Sequence, residues 1–250
     1  MFESSIYFEA LKSLEIIHSD SFGAKLWKDL LQVAVLSDEN EVDRFRSLPL
    51  GKMNEFLFGC LLDKSDNYEV LDRNYQFIEN GVTVGEIDFL LKDLRSQEII
   101  HLELATKVYL SVSEGFVGPN MKDNLMRKVA KFDDQISKLD ELWKKWSHEL
   151  GMPVKHSNLI LGRVWESSEH TPHRFRVYSR EYLLNMKDSG FRWYLPSKKE
   201  WFVDQNLFTD DLFGNDLEKI NQSILQRRSP LVIFSNGSLR FSCFITFWKS

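Results

Sequence analysis

Two short stretches hold the residues that could do chemistry. The first is Gly85-Glu86-Ile87-Asp88-Phe89-Leu90-Leu91; the second is His101-Leu102-Glu103-Leu104-Ala105-Thr106-Lys107. Each sets acids inside an apolar run. A carboxylate buried among Ile, Phe and Leu is costly unless a cation or hydrogen-bond donors compensate it. If both stretches are strands, alternate side chains share a face. Glu86 and Asp88 then point one way, and His101, Glu103, Ala105 and Lys107 line one face of the neighbouring strand. Pairing the strands brings Asp88 near Glu103. Such a pair suits Mg2+ or Mn2+, hard cations that take oxygen ligands and keep several waters. A metal there polarises a phosphate and makes an attacking water more acidic. Lys107 would orient that water or stabilise the developing charge. A solvated ion pair is the plainer reading of acid and lysine on one strand. The apolar flanks, the clustering of acids on adjacent strands and a further acid on the preceding helix, Glu55, weigh against it.

The elements that must position these residues are legible from periodicity. Apolar residues recur at helical spacing from about Ser5 to Val35. Ser47-Leu48-Pro49-Leu50-Gly51 is a break, and a helix through Met53 to Leu62 follows, carrying Glu55. Tyr68 to Ile78, Val82 to Leu91 and Glu98 to Tyr109 read as three consecutive strands, with Asn80-Gly81 as a hairpin turn. Gly118-Pro119-Asn120 closes that region, and Asn120 suits the N-cap of a long helix. In that helix Leu125, Val129, Phe132, Ile136, Leu139, Trp143 and Trp146 form an apolar seam. Lys128 and Gln135, two helical turns apart, share a face beside it. Asn158 to Trp165 reads as a strand entered from the helix, as in a βαβ crossover. Beyond Ser167 the pattern gives a strand at Arg174–Tyr178 and a short helix at Ser179–Met186. Aromatic turns or edge strands around Trp193 and Trp201 follow, then a helix at Asp216–Gln226 and strands at Leu231–Phe234 and Leu239–Trp248.

Bulk composition narrows the function classes. The 250 residues, with 19 Phe and 7 Trp, are enough for one sizeable core. A formal net charge of -5 argues against a general nucleic-acid coat. It leaves room for a nuclease, since a local basic patch beside a metal can hold a backbone. Cys60 and Cys243 have no ligand-like spacing, so zinc is not expected, and they read as buried reduced thiols. The N-terminus has no signal-peptide pattern, and no segment approaches a membrane span. A cytoplasmic location is the expectation.

With these residues in place, the chain resembles the core of the PD-(D/E)XK nuclease superfamily: Glu55 on a helix, Asp88 on the second strand, and Glu103 with a lysine on the third. GEIDFLL, HLELATK followed by VYL, and GPN followed by Asp123, Lys128 and Gln135 resemble an uncharacterised bacterial family grouped with that fold, domain of unknown function 1853. The resemblance runs from about Gly51 to Gln135 and continues toward the C-terminus through LILGRVW. It implies an α/β restriction-endonuclease-like core, a mixed central sheet flanked by helices, with an α+β C-terminal extension. The expected layout is a single domain: N-terminal helices over 5–48, a core over about 50–166 and an extension over 167–250. It also implies that Asp88 and Glu103 bind the metal, that Glu55 joins through water, and that Lys128 and Gln135 line the site. Composition alone makes those last two surface polar residues. Glu86 is a further candidate ligand, and His101 a candidate ligand, base or structural histidine. The superfamily motif puts lysine two residues after the glutamate, where this chain has Ala105. Lys107 is two residues further on, which moves its Cα by about 7 Å.

Three readings of function follow. The first is a Mg2+- or Mn2+-dependent nuclease acting on DNA or RNA. The second is a catalytically inactive relative that serves as a nucleic-acid or protein interaction module. The third is a glycoside hydrolase using paired carboxylates. A lysine in the cluster argues against the third, because it would keep both acids ionised. The late aromatics Trp193, Tyr194, Trp201 and Phe202 could stack bases but read more simply as a satellite apolar cluster.

Overall fold

Alternating and helical apolar patterns produce an α/β architecture with parallel and antiparallel strand pairs, a central sheet flanked by helices and a small C-terminal sheet. The computed structural model describes residues 4–34, 47–113, 115–166, 176–179, 189–215, 217–226, 229–236 and 240–246. The chain divides into two compact units: residues 1–107 with 126–162, and residues 108–125 with 163–250.

The first unit opens with α1 (Ser4–Lys12), β1 (Glu15–Ser19) and α2 (Ser21–Leu30). Helices are present where helical spacing placed them, with a strand between them that it did not show. Glu15 to Ser19 pair antiparallel with β6 (Val154–Glu166), which supplies backbone partners that helical spacing cannot reveal. Asp20 caps α2, accepting from the Gly23 N–H at 2.8 Å. Pro49 sits at the start of α3 (Leu50–Asp63), where its missing N–H costs nothing.

Three long strands follow: β2 (Tyr68–Glu79), β3 (Val82–Asp93) and β4 (Ile99–Val112). Asn80 (φ 49°) and Gly81 (φ 78°) both take the left-handed conformation that the β2–β3 turn needs. Strand order in this unit is β2-β3-β4-β6, with β1 on β6. The seam helix is two helices, α4 (Leu125–Lys138) and α5 (Asp140–Leu150), parted at Leu139. Leu139, Leu142, Trp143 and Trp146 pack with Ile87, Leu90, Ile99 and Val154. Phe58 of α3 meets Phe89 of β3 at 5.7 Å between rings and stacks on Trp27 of α2 at 5.9 Å. Cys60 and Cys243 are buried and outside any disulfide.

In the second unit β5 (Gly115–Val117) pairs with the end of β4. Asn120 does not cap a helix: its side chain accepts from Lys122 N in a turn that precedes α4. The later elements are β7 (Arg176–Ser179), β8 (Arg192–Tyr194), α6 (Leu217–Leu225), β9 (Leu231–Ser235) and β10 (Arg240–Thr246), ordered β7-β10-β9-β8. Trp193, Ile220, Ile224, Val232, Phe234 and Phe241 share one apolar cluster, the packing role expected for the late aromatics at Trp193. The helix expected at Ser179–Met186 lies, beyond Ser179, outside the described residues. No helix among the described residues is long and apolar enough to cross a membrane.

Candidate functional site

The site forms where two strands part. β3 and β4 pair from Lys92↔Ile99 to Phe89↔Leu102. At the next position the side chain of Asp88 enters, and its Oδ2 accepts the Leu104 N–H at 2.9 Å. Asp88 keeps some exposure, while Glu103 is 4% exposed. α3 is tied to the same strand: Asn54, itself buried, donates from Nδ2 to Thr106 Oγ1 at 3.2 Å. Glu55, the next residue of that helix, acts through its charge on both Asp88 and Glu103.

Glu103 is held by two donors on one oxygen. Gln135 Nε2 donates to its Oε1 at 2.7 Å, and His101 Nε2 lies 2.8 Å from the same atom. Gln135 also donates to the Glu86 carbonyl, so one side chain joins α4 to both strands. When Glu103 is ionised it only accepts, so His101 then donates from Nε2 and keeps a lone pair on Nδ1. That nitrogen lies 3.2 Å from Nδ1 of His156, which must then be the donor. Both rings pack against Trp143, at 4.6 Å and 4.9 Å between centroids. Burial pushes His101 down to about 3 and, with the His101 neighbour, His156 down to about 4, so both are neutral at pH 7.

The acids repel one another in a poorly solvated place. Burial first, then the charges of Glu103 and Glu55, push Asp88 up to about 8. Burial pushes Glu103 up to about 7, with Lys128 as the foremost charge pulling it back. Glu55 is raised by burial as well, against the pull of Lys52. Two cations flank the group. Lys52 of α3 donates to Glu55 Oε1 at 3.0 Å, to Glu86 Oε1 at 2.9 Å and to Asn74 Oδ1 at 3.3 Å. Lys128 of α4 lies over the Phe132 ring at 4.2 Å and within the field of Glu103 and Asp88.

The structure therefore brings Asp88, Glu103, Glu55, Glu86, His101, Gln135 and Lys128 into one region of the first unit. Glu86 meets Lys52 there, and its side chain remains 38% exposed. Lys107 is half-buried on β4 and is felt electrostatically by Lys128. Sequence reasoning missed Lys52, Asn54 and His156. Lys52 stands one turn before Glu55 and was open to the helical-spacing argument; His156 lies before the point where the sequence pattern starts the strand.

No group of three His, Cys, Asp or Glu side chains among the described residues is arranged to hold a metal. Mg2+ does not need one, since it commonly takes one or two carboxylates and completes its shell with water and substrate oxygens. The donor set fits that mode: the hydrogen bonds above use Oδ2 of Asp88 and Oε1 of Glu103, one oxygen of each carboxylate.

Among known proteins, a family model described as a domain of unknown function, DUF1853, matches residues 34–233, far more than half of the chain. No curated protein and no solved structure matches it.

Proposed function

The chain belongs to the DUF1853 family, and we propose that it is a Mg2+- or Mn2+-dependent nuclease of PD-(D/E)XK type that hydrolyses phosphodiester bonds in DNA or RNA. One observation carries the reading: two mutually repelling carboxylates, the half-buried Asp88 and the buried Glu103, stand together at the break in the β3–β4 ladder. Neither ion pair in the cluster neutralises them directly; Lys52 is spent on Glu55 and Glu86. A divalent cation would resolve that repulsion.

Asp88 and Glu103 would hold the metal. When bound it would supply Lewis acidity toward a phosphate and a more acidic water. The protein's own groups do the positioning. Gln135 and the neutral His101–His156 pair fix the Glu103 carboxylate. The Leu104 N–H fixes Asp88. Glu55, held by Lys52, adds negative field beside the pair and could reach the metal through water. In the reaction a water oxygen bonds to phosphorus as the phosphorus–oxygen ester bond breaks. The water gives up a proton to solvent, and the departing sugar oxygen takes one.

The interaction-module reading keeps the same acids without turnover. The glycosidase reading would use the same raised pair, Asp88 and Glu103, without a metal. Calorimetry with Mn2+ separates the metal-site readings from the glycosidase one, and turnover separates the nuclease from the module. Wild type should bind, and Asp88→Ala and Glu103→Ala should lose most of the affinity. Equal Mn2+ behaviour in all three proteins would sink the metal-site reading.

A further inference from the structure

We propose that Lys128 of α4, and not Lys107 of β4, is the lysine that contacts the scissile phosphate. The proposal rests on the nuclease reading above and assigns its missing cation.

Three observations carry it. First, α4 is docked on the site by Gln135, whose Nε2 reaches Glu103 Oε1 at 2.7 Å. Lys128 is seven residues earlier, two full turns, and so faces the same way. Phe132 lies between them and is 1% exposed. The Lys128 Nζ rests over that ring at 4.2 Å, which holds the side chain along the inward face of the helix. Second, Lys128 is the foremost charge acting on Glu103, and Asp88 and Glu103 are the two acids acting on Lys128. Its ammonium therefore lies toward the carboxylate pair. Third, the first half of α4 is basic. Arg127 and Lys131 are exposed on either side of Lys128, and the first acid of the helix is Asp133. A polyanion entering at the pair would meet this half of the helix.

Lys107 has a weaker claim to the position. It follows Glu103 by four residues along the strand, about 13 Å of extended backbone. Its backbone is locked against β6: a Cβ at Gly162 would fall 1.8 Å from the Lys107 carbonyl oxygen. In the proposed arrangement Lys128 stays protonated throughout. It donates hydrogen bonds to a non-bridging phosphate oxygen as charge builds there, and no proton passes through it.

The test uses the full-length chain and its Lys128→Ala, Lys128→Arg, Lys107→Ala and Asp88→Ala variants. Each is assayed for Mn2+-dependent cleavage of single- and double-stranded DNA and RNA, and for Mn2+ affinity by calorimetry. Lys128→Ala should lose about 100-fold in kcat and bind Mn2+ about fivefold more tightly, because a like charge facing the ion has gone. Lys128→Arg should recover part of the rate. Lys107→Ala should stay within about threefold of wild type in both measurements. Wild-type cleavage by Lys128→Ala, a loss confined to Lys107→Ala, or unchanged Mn2+ affinity in Lys128→Ala would each overturn the assignment. The failure of the underlying reading looks different: wild type would neither cleave nor bind Mn2+ in an Asp88-dependent way, and the assignment would fall with it.

Discussion

Oδ2 of Asp88 accepts the backbone N–H of Leu104 at 2.9 Å, across the point where β3 and β4 stop pairing. A side chain has taken the place of the next rung. The arrangement satisfies a buried donor and fixes a carboxylate at the opening. It also sets a conflict between stability and function, since burial and the neighbouring acids hold Asp88 at about 8.

The conflict has a sign. The ordinary value for Asp88 is 3.8 and the folded value is about 8. Between those limits the folded chain keeps a proton that the unfolded chain has released. Folding stability from this group therefore falls as pH rises through that window. Asp88→Asn keeps an acceptor for Leu104 and removes the charge. In chelator at pH 8 its Tm should exceed wild type by about 5 °C, with the gap closing toward pH 4. Thermal denaturation across pH checks this. A wild type more stable than Asp88→Asn at pH 8 would contradict it.

Metal binding should titrate in the opposite direction. A divalent ion takes the deprotonated carboxylates, and Asp88 and Glu103 lie at about 8 and about 7. Mn2+ affinity should rise from pH 6 to pH 8.5, and binding should release protons. Calorimetry in buffers of different ionisation enthalpy measures that release. Affinity that stays flat over this range would count against the pair as the metal ligands.

The chain His156–His101–Glu103 has a defined direction. With Glu103 ionised, His101 Nε2 donates to it and His156 Nδ1 donates to His101. Nitrogen NMR at pH 8.5, above the value of about 7 for Glu103, should show two neutral imidazoles, protonated on Nε2 in His101 and on Nδ1 in His156. His101→Phe should weaken Mn2+ binding about 10- to 100-fold, since the partner that orients Glu103 is lost. His101→Gln, which can still donate, should recover part of it. Charged rings, or the reverse tautomers, would break this account of how Glu103 is held.

Gly162 tests the packing beneath the site. A methyl there would meet the Lys107 carbonyl oxygen at 1.8 Å and Ile17 Cδ1 at 2.8 Å. The first obstacle is backbone and cannot rotate away. Gly162→Ala should lose more than about 3 kcal/mol or fail to accumulate as folded protein. Gly51→Ala, where nothing lies within 4 Å of the added carbon, should be neutral or slightly stabilising. Denaturant unfolding compares the two.

Much of this was legible in the sequence, for reasons that differ by residue. Asn80-Gly81 declared the hairpin because few other pairs accept two left-handed residues. Asp88 and Glu103 stood out because acids rarely sit in apolar strands. The strand at Glu15–Ser19 was hidden in a helical pattern, because its partner β6 lies far along the chain. Leu139 looked like one more seam residue, yet it divides two helices where Gly85 lets it approach β3 closely. His156 gave no local signal; only the register of β6 beside β4 brings it to His101. Lys128 and Gln135 were visible as a pair two turns apart, but whether that face met solvent or Glu103 depended on how α4 docks.

The most direct measurement is cleavage of single- and double-stranded DNA and RNA with Mg2+ or Mn2+ by wild type, Asp88→Ala and Glu103→Ala, each verified as folded. The account predicts cleavage by wild type that chelator stops and that falls by at least about 100-fold in both variants. Failure of folded wild type to cleave any of the four substrates, or cleavage that persists in both variants, would contradict it.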